Sequence, residues 1–98
     1  MRFVIDFSRE ARRQLRGFTV AEQRRIVEAI TQNLQHQANV ASRHRKPLRE
    51  NPLAPWELRV GEVRVFYNVL VEEQSVYVVA IGRKGHNRLR IGDQETEL

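Results

Sequence analysis

The chain has 98 residues, of which 41% are hydrophobic and 30% charged. That supports one modest core and excludes both a two-domain architecture and a largely disordered chain. Cysteine is absent, which rules out disulfides and Cys-based metal sites, and no run approaches the roughly 20 apolar residues of a membrane helix. Seventeen lysines and arginines face 12 acidic residues, net +5, a balance that suits an anionic partner such as nucleic acid.

Phe3, Ile5 and Phe7 alternate with Val4 and Asp6, which predicts a first strand. This start is too short and too soon polar for a signal peptide, so the expected location is cytoplasmic. Ser8 suits the N-cap of a short helix over Arg9–Arg16, with Ala11, Leu15 and Phe18 inward and Gly17 as its stop. Thr19 and Glu22 form a capping box. It opens a longer helix over Val20–His36, whose inner stripe is Ile26, Val27, Ile30 and Leu34.

Residues 39–55 read as a basic loop punctuated by Pro47, Pro52 and Pro55. Three strands are expected next, over Trp56–Val60, Val63–Val71 and Val76–Arg83. Gly61-Glu62 between the first two matches a two-residue hairpin turn with Gly at its first central position. The tail, Asn87–Leu98, offers Leu89 and Ile91 as anchors. Strand, helix, helix and three strands indicate an α+β fold, with two helices on one face of a four-stranded antiparallel sheet. Residues 1–98 are expected to form a single domain.

The turns set a register. With Gly61-Glu62 as the turn, Arg59 faces Arg64 and Trp56 faces Tyr67. If Val71 faces Val76 across the next turn, Arg64 faces Arg83 and Tyr67 faces Ala80. One sheet face is then apolar, from Trp56, Leu58 and Val60 through Val63, Val65, Tyr67 and Val69 to Val78 and Ala80, and holds the helices. The other places Arg59, Arg64 and Arg83 in a row. A one-residue slip of the last strand breaks that row. Like charges directly opposite one another destabilise a sheet, so the row points to an anion site in which arginine forks grip phosphate oxygens. Gly82-Arg83-Lys84-Gly85-His86-Asn87-Arg88-Leu89-Arg90 adds charge beside it. The same face carries Phe66, Leu70, Tyr77, Val79 and Ile81, an apolar patch that either the tail or a partner must cover.

Lys46-Pro47-Leu48, the run from Trp56 through Arg59, Arg64 and Tyr67 to Val69, and the strand from Val76 to Arg83-Lys84 together resemble the RelE/ParE superfamily of toxins from bacterial type II toxin–antitoxin systems. The element order is similar too, so the resemblance covers most of the chain. It implies a compact toxin neutralised by a cognate antitoxin. In the RelE branch it implies metal-independent, ribosome-dependent cleavage of mRNA in the A site, where the 2′-OH attacks the adjacent phosphate. In the ParE branch the target is instead DNA gyrase. Arg64 matches the arginine at the scissile phosphate, and Arg83 or Lys84 a second basic residue at the end of the last strand.

The chain departs from the branch at three places. Pro55 and Glu57 stand where lysines occur, and Lys46 stands where some relatives place a catalytic Glu. His86 is the nearest residue to the C-terminal tyrosine or histidine, with Arg90 a candidate for the tyrosine's place. The expected catalytic set is therefore Arg64, Arg83 and His86. An imidazole titrating near neutral pH suits acid or base work, and cations suit a phosphorane. Arg59, Lys46, Lys84, Arg88 and Arg90 are expected to bind RNA, and Glu57 to serve as base or charge balance. His36, His44 and His86 lack metal-ligand spacing, so neither metal nor cofactor is expected. The expected partners are an antitoxin and mRNA on the ribosome, with no membrane. The alternatives are a ParE-like gyrase inhibitor and a weakly active protein that only binds its antitoxin or RNA.

Overall fold

The computed structural model describes residues 1–85, 88–92 and 94–96. The first strand, β1 (Val4–Phe7), turns Ile5 and Phe7 inward and leaves Val4 and Asp6 exposed. Helix α1 (Arg9–Arg16) starts at Ser8, whose Oγ accepts the Ala11 N–H at 2.9 Å. Helix α2 (Val20–Leu34) opens on the Thr19–Glu22 capping box, with both reciprocal bonds made. Ile26, Ile30 and Leu34 are buried along it, whereas Val27 is exposed. The remaining elements are β2 (Arg45–Pro47), β3 (Trp56–Val60), β4 (Val63–Leu70), β5 (Ser75–Gly85), β6 (Arg88–Ile91) and β7 (Gln94–Thr96).

Among the described residues these strands form one seven-stranded sheet rather than a four-stranded one. The order is β2-β3-β4-β5-β6-β7, and β1 lies parallel to β5. The α+β class and the two-helix layer are as expected; the strand count and the purely antiparallel pairing are corrected. The extra strands have three or four residues each, too short for alternation to betray them. Short strands of this kind form only because a neighbour's unpaired backbone draws them in. Arg45 shows this for β2. It is buried, and its guanidinium donates to the carbonyl oxygens of Val40 (2.8 Å) and Asn33 (3.2 Å), tying the preceding loop to the end of α2.

Strands β1 and β6 share one edge of β5. β1 pairs with Ser75–Val78 and β6 with Arg83–Gly85. In the gap between them, helix α1 takes over the pairing. Ser8 Oγ donates to the Val79 carbonyl oxygen and Gln14 Oε1 accepts the Ile81 N–H, each at 2.8 Å. Backbone groups that would otherwise be left unpaired are thus satisfied by the helix, which fixes its rotation about its own axis.

The β3–β4 register is the expected one, from Val60↔Val63 to Trp56↔Tyr67, with Gly61 at φ 59° in the turn. The β4–β5 register is not. Leu70 pairs with Ser75 and Tyr67 with Val78, but Phe66 pairs with Ala80, so Val79 is an extra residue in a β-bulge. Past the bulge every side chain of β5 is on the face opposite to the one expected. Ile81 joins the helix-side core, with Tyr67, Val76 and Val78. Ala80 joins a second core on the other face, with Phe66, Ala54 and Leu89, against which Leu48, Leu53, Val79 and Ile91 pack. The 48–55 loop and the C-terminal strands thus cover Phe66. Leu70, Tyr77 and Val4 stay exposed.

Candidate functional site

The face away from the helices carries a compact charged group at the β2–β3–β4 end. Cross-strand pairing sets Lys46 beside Glu57 and Arg59 beside Arg64. Glu57 lies on this face opposite Phe66, and its carboxylate is only 8% exposed. Arg59 Nε donates to Glu57 Oε2 at 3.1 Å. Arg64 Nε lies 3.9 Å from Glu57 Oε1, too far for a hydrogen bond, and this buried donor has no partner among the described residues. Arg64 Nη1 donates back to the carbonyl oxygens of Gly61 (2.6 Å) and Val63 (3.1 Å). One carboxylate therefore balances two guanidiniums, which explains how like charges tolerate directly opposite positions.

The expected row of Arg59, Arg64 and Arg83 does not form. Arg64 pairs with Gly82 and Arg83 with Val63, a core residue on the helix side. Arg83 therefore points toward the helices. Its Nη2 donates to Glu22 Oε2 at 3.0 Å, and its guanidinium lies 4.9 Å above the Phe18 ring. There it lines a cleft of about 240 Å³ with Glu22, Arg25 and Glu62. The Thr19 backbone N–H first, and Arg83 second, hold the Glu22 carboxyl below its usual range.

Lys84 takes the place vacated by Arg83. It is two residues beyond Gly82 on the strand, so it shares the face of Arg64, and its N–H extends the ladder to the Glu62 carbonyl at 2.7 Å. A lysine at this diagonal position is within side-chain reach of Arg64. The slip follows from the bulge, and the signal for it lies in Val78-Val79-Ala80-Ile81: four apolar residues without alternation fit either register.

The other expected residues are dispersed. Arg90 sits opposite Arg83 in the β5–β6 register, away from Leu89 and the second core. Arg88 pairs with Glu95 at 3.2 Å. His86 lies outside the described residues. His44 is exposed but continues the β2–β3 ladder, accepting the Arg59 N–H on its carbonyl oxygen at 2.9 Å. Tyr67 is structural. Its hydroxyl donates to the Ala38 carbonyl at 2.7 Å, its ring stacks on Trp56 at 6.0 Å, and burial raises its pKa above the usual phenol value. Among the described residues no cluster of three His, Cys, Asp or Glu could hold a metal ion.

Gly82 is the least conspicuous member of the group. A Cβ there would sit 2.5 Å from the Arg90 carbonyl oxygen and 2.8 Å from Ile91 Cγ1. The missing side chain lets β6 fold over the sheet beside Arg64. No sequence pattern marks it as different from a strand-end glycine.

Among solved structures, this fold is similar to the toxin–antitoxin complex RelBE2 from Mycobacterium tuberculosis. The TM-score is 0.74 and the identity 23%, over 86% of this chain and all of that one. It is also similar to the archaeal RelE–RelB complex from Pyrococcus horikoshii OT3, with TM-score 0.70 and 17% identity over 88% of this chain and 99% of that one. Identities this low show a shared fold. No curated protein sequence matches. Residues 5–88, most of the chain, match the family described as ParE toxin of the type II toxin–antitoxin system, parDE. The chain therefore belongs to the ParE toxin family, within the RelE/ParE superfamily of type II toxin–antitoxin toxins.

Proposed function

We propose that this toxin acts as a single domain in the cytoplasm and cleaves mRNA on the ribosome by a metal-independent route. The 2′-OH attacks the adjacent phosphorus, the P–O5′ bond breaks, and a 2′,3′-cyclic phosphate and a 5′-OH remain. The observation that supports this reading is the set of cations on the face away from the helices: Lys46, Arg59, Arg64 and Lys84 about the carboxylate of Glu57. Arg64 and Lys84 flank the phosphate and stabilise the charge of the phosphorane, while Arg59 and Lys46 hold neighbouring phosphates. Glu57 orients Arg59 through its hydrogen bond and balances the charge of Arg64, and its carboxylate is the base of this group. The test is induced expression in a bacterial host with mapping of mRNA 5′ ends. New ends at A-site codons are expected; a toxic dose without them overturns the reading.

The partner proposed is a small antitoxin, as in the two complexes of similar fold. It would cover the exposed Val4, Leu70 and Tyr77 on the sheet.

One observation favours a second reading, a ParE-like inhibitor of DNA gyrase. The Arg64 side chain is only 15% exposed and already donates to two carbonyls of its own turn, which suits a structural role as well as a catalytic one. That reading predicts inhibited supercoiling and toxicity that survives Arg64→Ala combined with Lys84→Ala.

A further inference from the structure

We infer that the outer face of α1 is a second phosphate-binding surface, separate from the cation group on the sheet, and that it docks on the backbone of duplex RNA. Arg9, Arg12, Arg13 and Arg16 fall at i, i+3, i+4 and i+7 of an eight-residue helix, and all four are exposed. This is one continuous stripe along the solvent side. The opposite side is committed. Ala11 is fully buried, and Ser8 and Gln14 bond to the Val79 carbonyl and the Ile81 N–H of β5. The helix cannot rotate to bury or disperse the stripe.

The stripe works against the helix that carries it. Arg9–Arg13 and Arg12–Arg16 are like-charge i,i+4 pairs, and Arg9–Arg12 and Arg13–Arg16 are i,i+3 pairs, all unfavourable. Arg9 also stands in the first turn, against the helix dipole. Glu10 is the only acidic residue in the helix, and it pairs with Arg13 alone. Arg16 stands in the last turn, where the dipole favours a cation, but folding gains nothing from Arg9 and Arg12, and a polyanion would neutralise all three. From Arg9 to Arg16 the helix rises about 10 Å, the axial span of about three phosphates of one strand. Guanidinium forks fit phosphate oxygens two at a time. A membrane surface fits poorly, because the exposed side of α1 holds no apolar residue to insert.

The choice of RNA over another polyanion rests on the RNA-cleaving reading above. The stripe belongs to the helix layer, on the other side of the sheet from Arg64 and Lys84. The protein can thus hold structured RNA on one side while the sheet face engages a single strand.

The probe is a fully paired RNA duplex, titrated with the full chain across a salt series. Arg9→Gln, Arg12→Gln and Arg16→Gln are combined. The slope of log Kd against log salt should fall by about two to three, and affinity at moderate salt by about tenfold or more. A control removes three other exposed arginines, Arg2→Gln, Arg43→Gln and Arg49→Gln, for the same change in net charge. It should move the slope by less than one. Melting of the stripe variant at or above the wild-type temperature shows that it folds and that the stripe was strained. Equal losses in both variants overturn the inference, as does an unchanged stripe variant. So does a stripe variant that loses binding to polyglutamate or acidic vesicles but keeps duplex RNA. Binding is read apart from cleavage: stripe-dependent binding without mRNA cleavage leaves this inference standing and removes the reading above, and cleavage with stripe-independent binding does the reverse.

Discussion

Tyr67 and Gly82 show how single positions hold the sheet in its shape. The Tyr67 hydroxyl is buried and bonded to the Ala38 carbonyl, so Tyr67→Phe should cost about 1 kcal/mol. Burial raises the folded-state pKa above 10.0. A raised pKa means that the stabilisation is complete below the unfolded value and is lost as pH rises through about 10. Thermal melts from pH 8 to 11 should fall at the alkaline end for the wild type, and fall less for Tyr67→Phe. At Gly82 an added methyl meets the Arg90 carbonyl, a backbone atom that cannot swing away. Gly82→Ala should lower stability in urea unfolding by about 1–3 kcal/mol, mainly by lifting β6 from the sheet. A variant as stable as the wild type would refute that close approach.

The elements carry their own start signals, and these were readable. Ser8 and Thr19 cap the helices as their residue types require, and the Gly61 turn sets the β3–β4 register. Glu22 serves two elements at once. It closes the capping box of α2 and accepts a bond from Arg83 of β5. Its pKa is lowered, so its contribution is present above the ordinary carboxylate value of 4.5 and is lost as pH falls through the lowered one. Melting temperature should therefore drop below about pH 4.5, and Glu22→Gln should flatten that part of the profile. Thr19→Ala, which removes the cap bond, should destabilise by about 1 kcal/mol at neutral pH. The short strands β2, β6 and β7 were not readable, because three or four residues carry no period and their pairing depends on an edge that exists only after folding.

At the scale of the molecule, the bulge at Val79 sorts the cations between the two layers. Arg83 goes to the helix side, where it bonds Glu22 and Phe18. Lys84 goes to the Arg64 side. On the proposed reaction, Arg64→Ala and Lys84→Ala should each lower mRNA cleavage by about 10²–10³-fold. Arg83→Gln should leave cleavage within a few-fold and instead lower stability by about 1 kcal/mol. Primer extension on mRNA from induced cells, beside melting curves of the purified variants, separates the two effects. Loss of cleavage on Arg83→Gln at unchanged stability would restore Arg83 to the site.

Composition, caps, the hairpin turn and the family-like runs at Lys46-Pro47-Leu48 and Trp56–Val69 were enough to set the class of fold, both helices, the Arg59–Arg64 pairing and the superfamily. Those features are local, or act across one two-residue turn, so neighbouring residues determine them. The tertiary structure alone decided which residue joins Arg64. A bulge costs one residue of register and reverses every side chain beyond it, and its position was set by packing on both faces of β5 and by the Ser8 and Gln14 bonds from α1. The space for β6 above Gly82 was decided in the same way, by an approach of the Arg90 carbonyl that exists only once β5 and β6 are paired in the sheet.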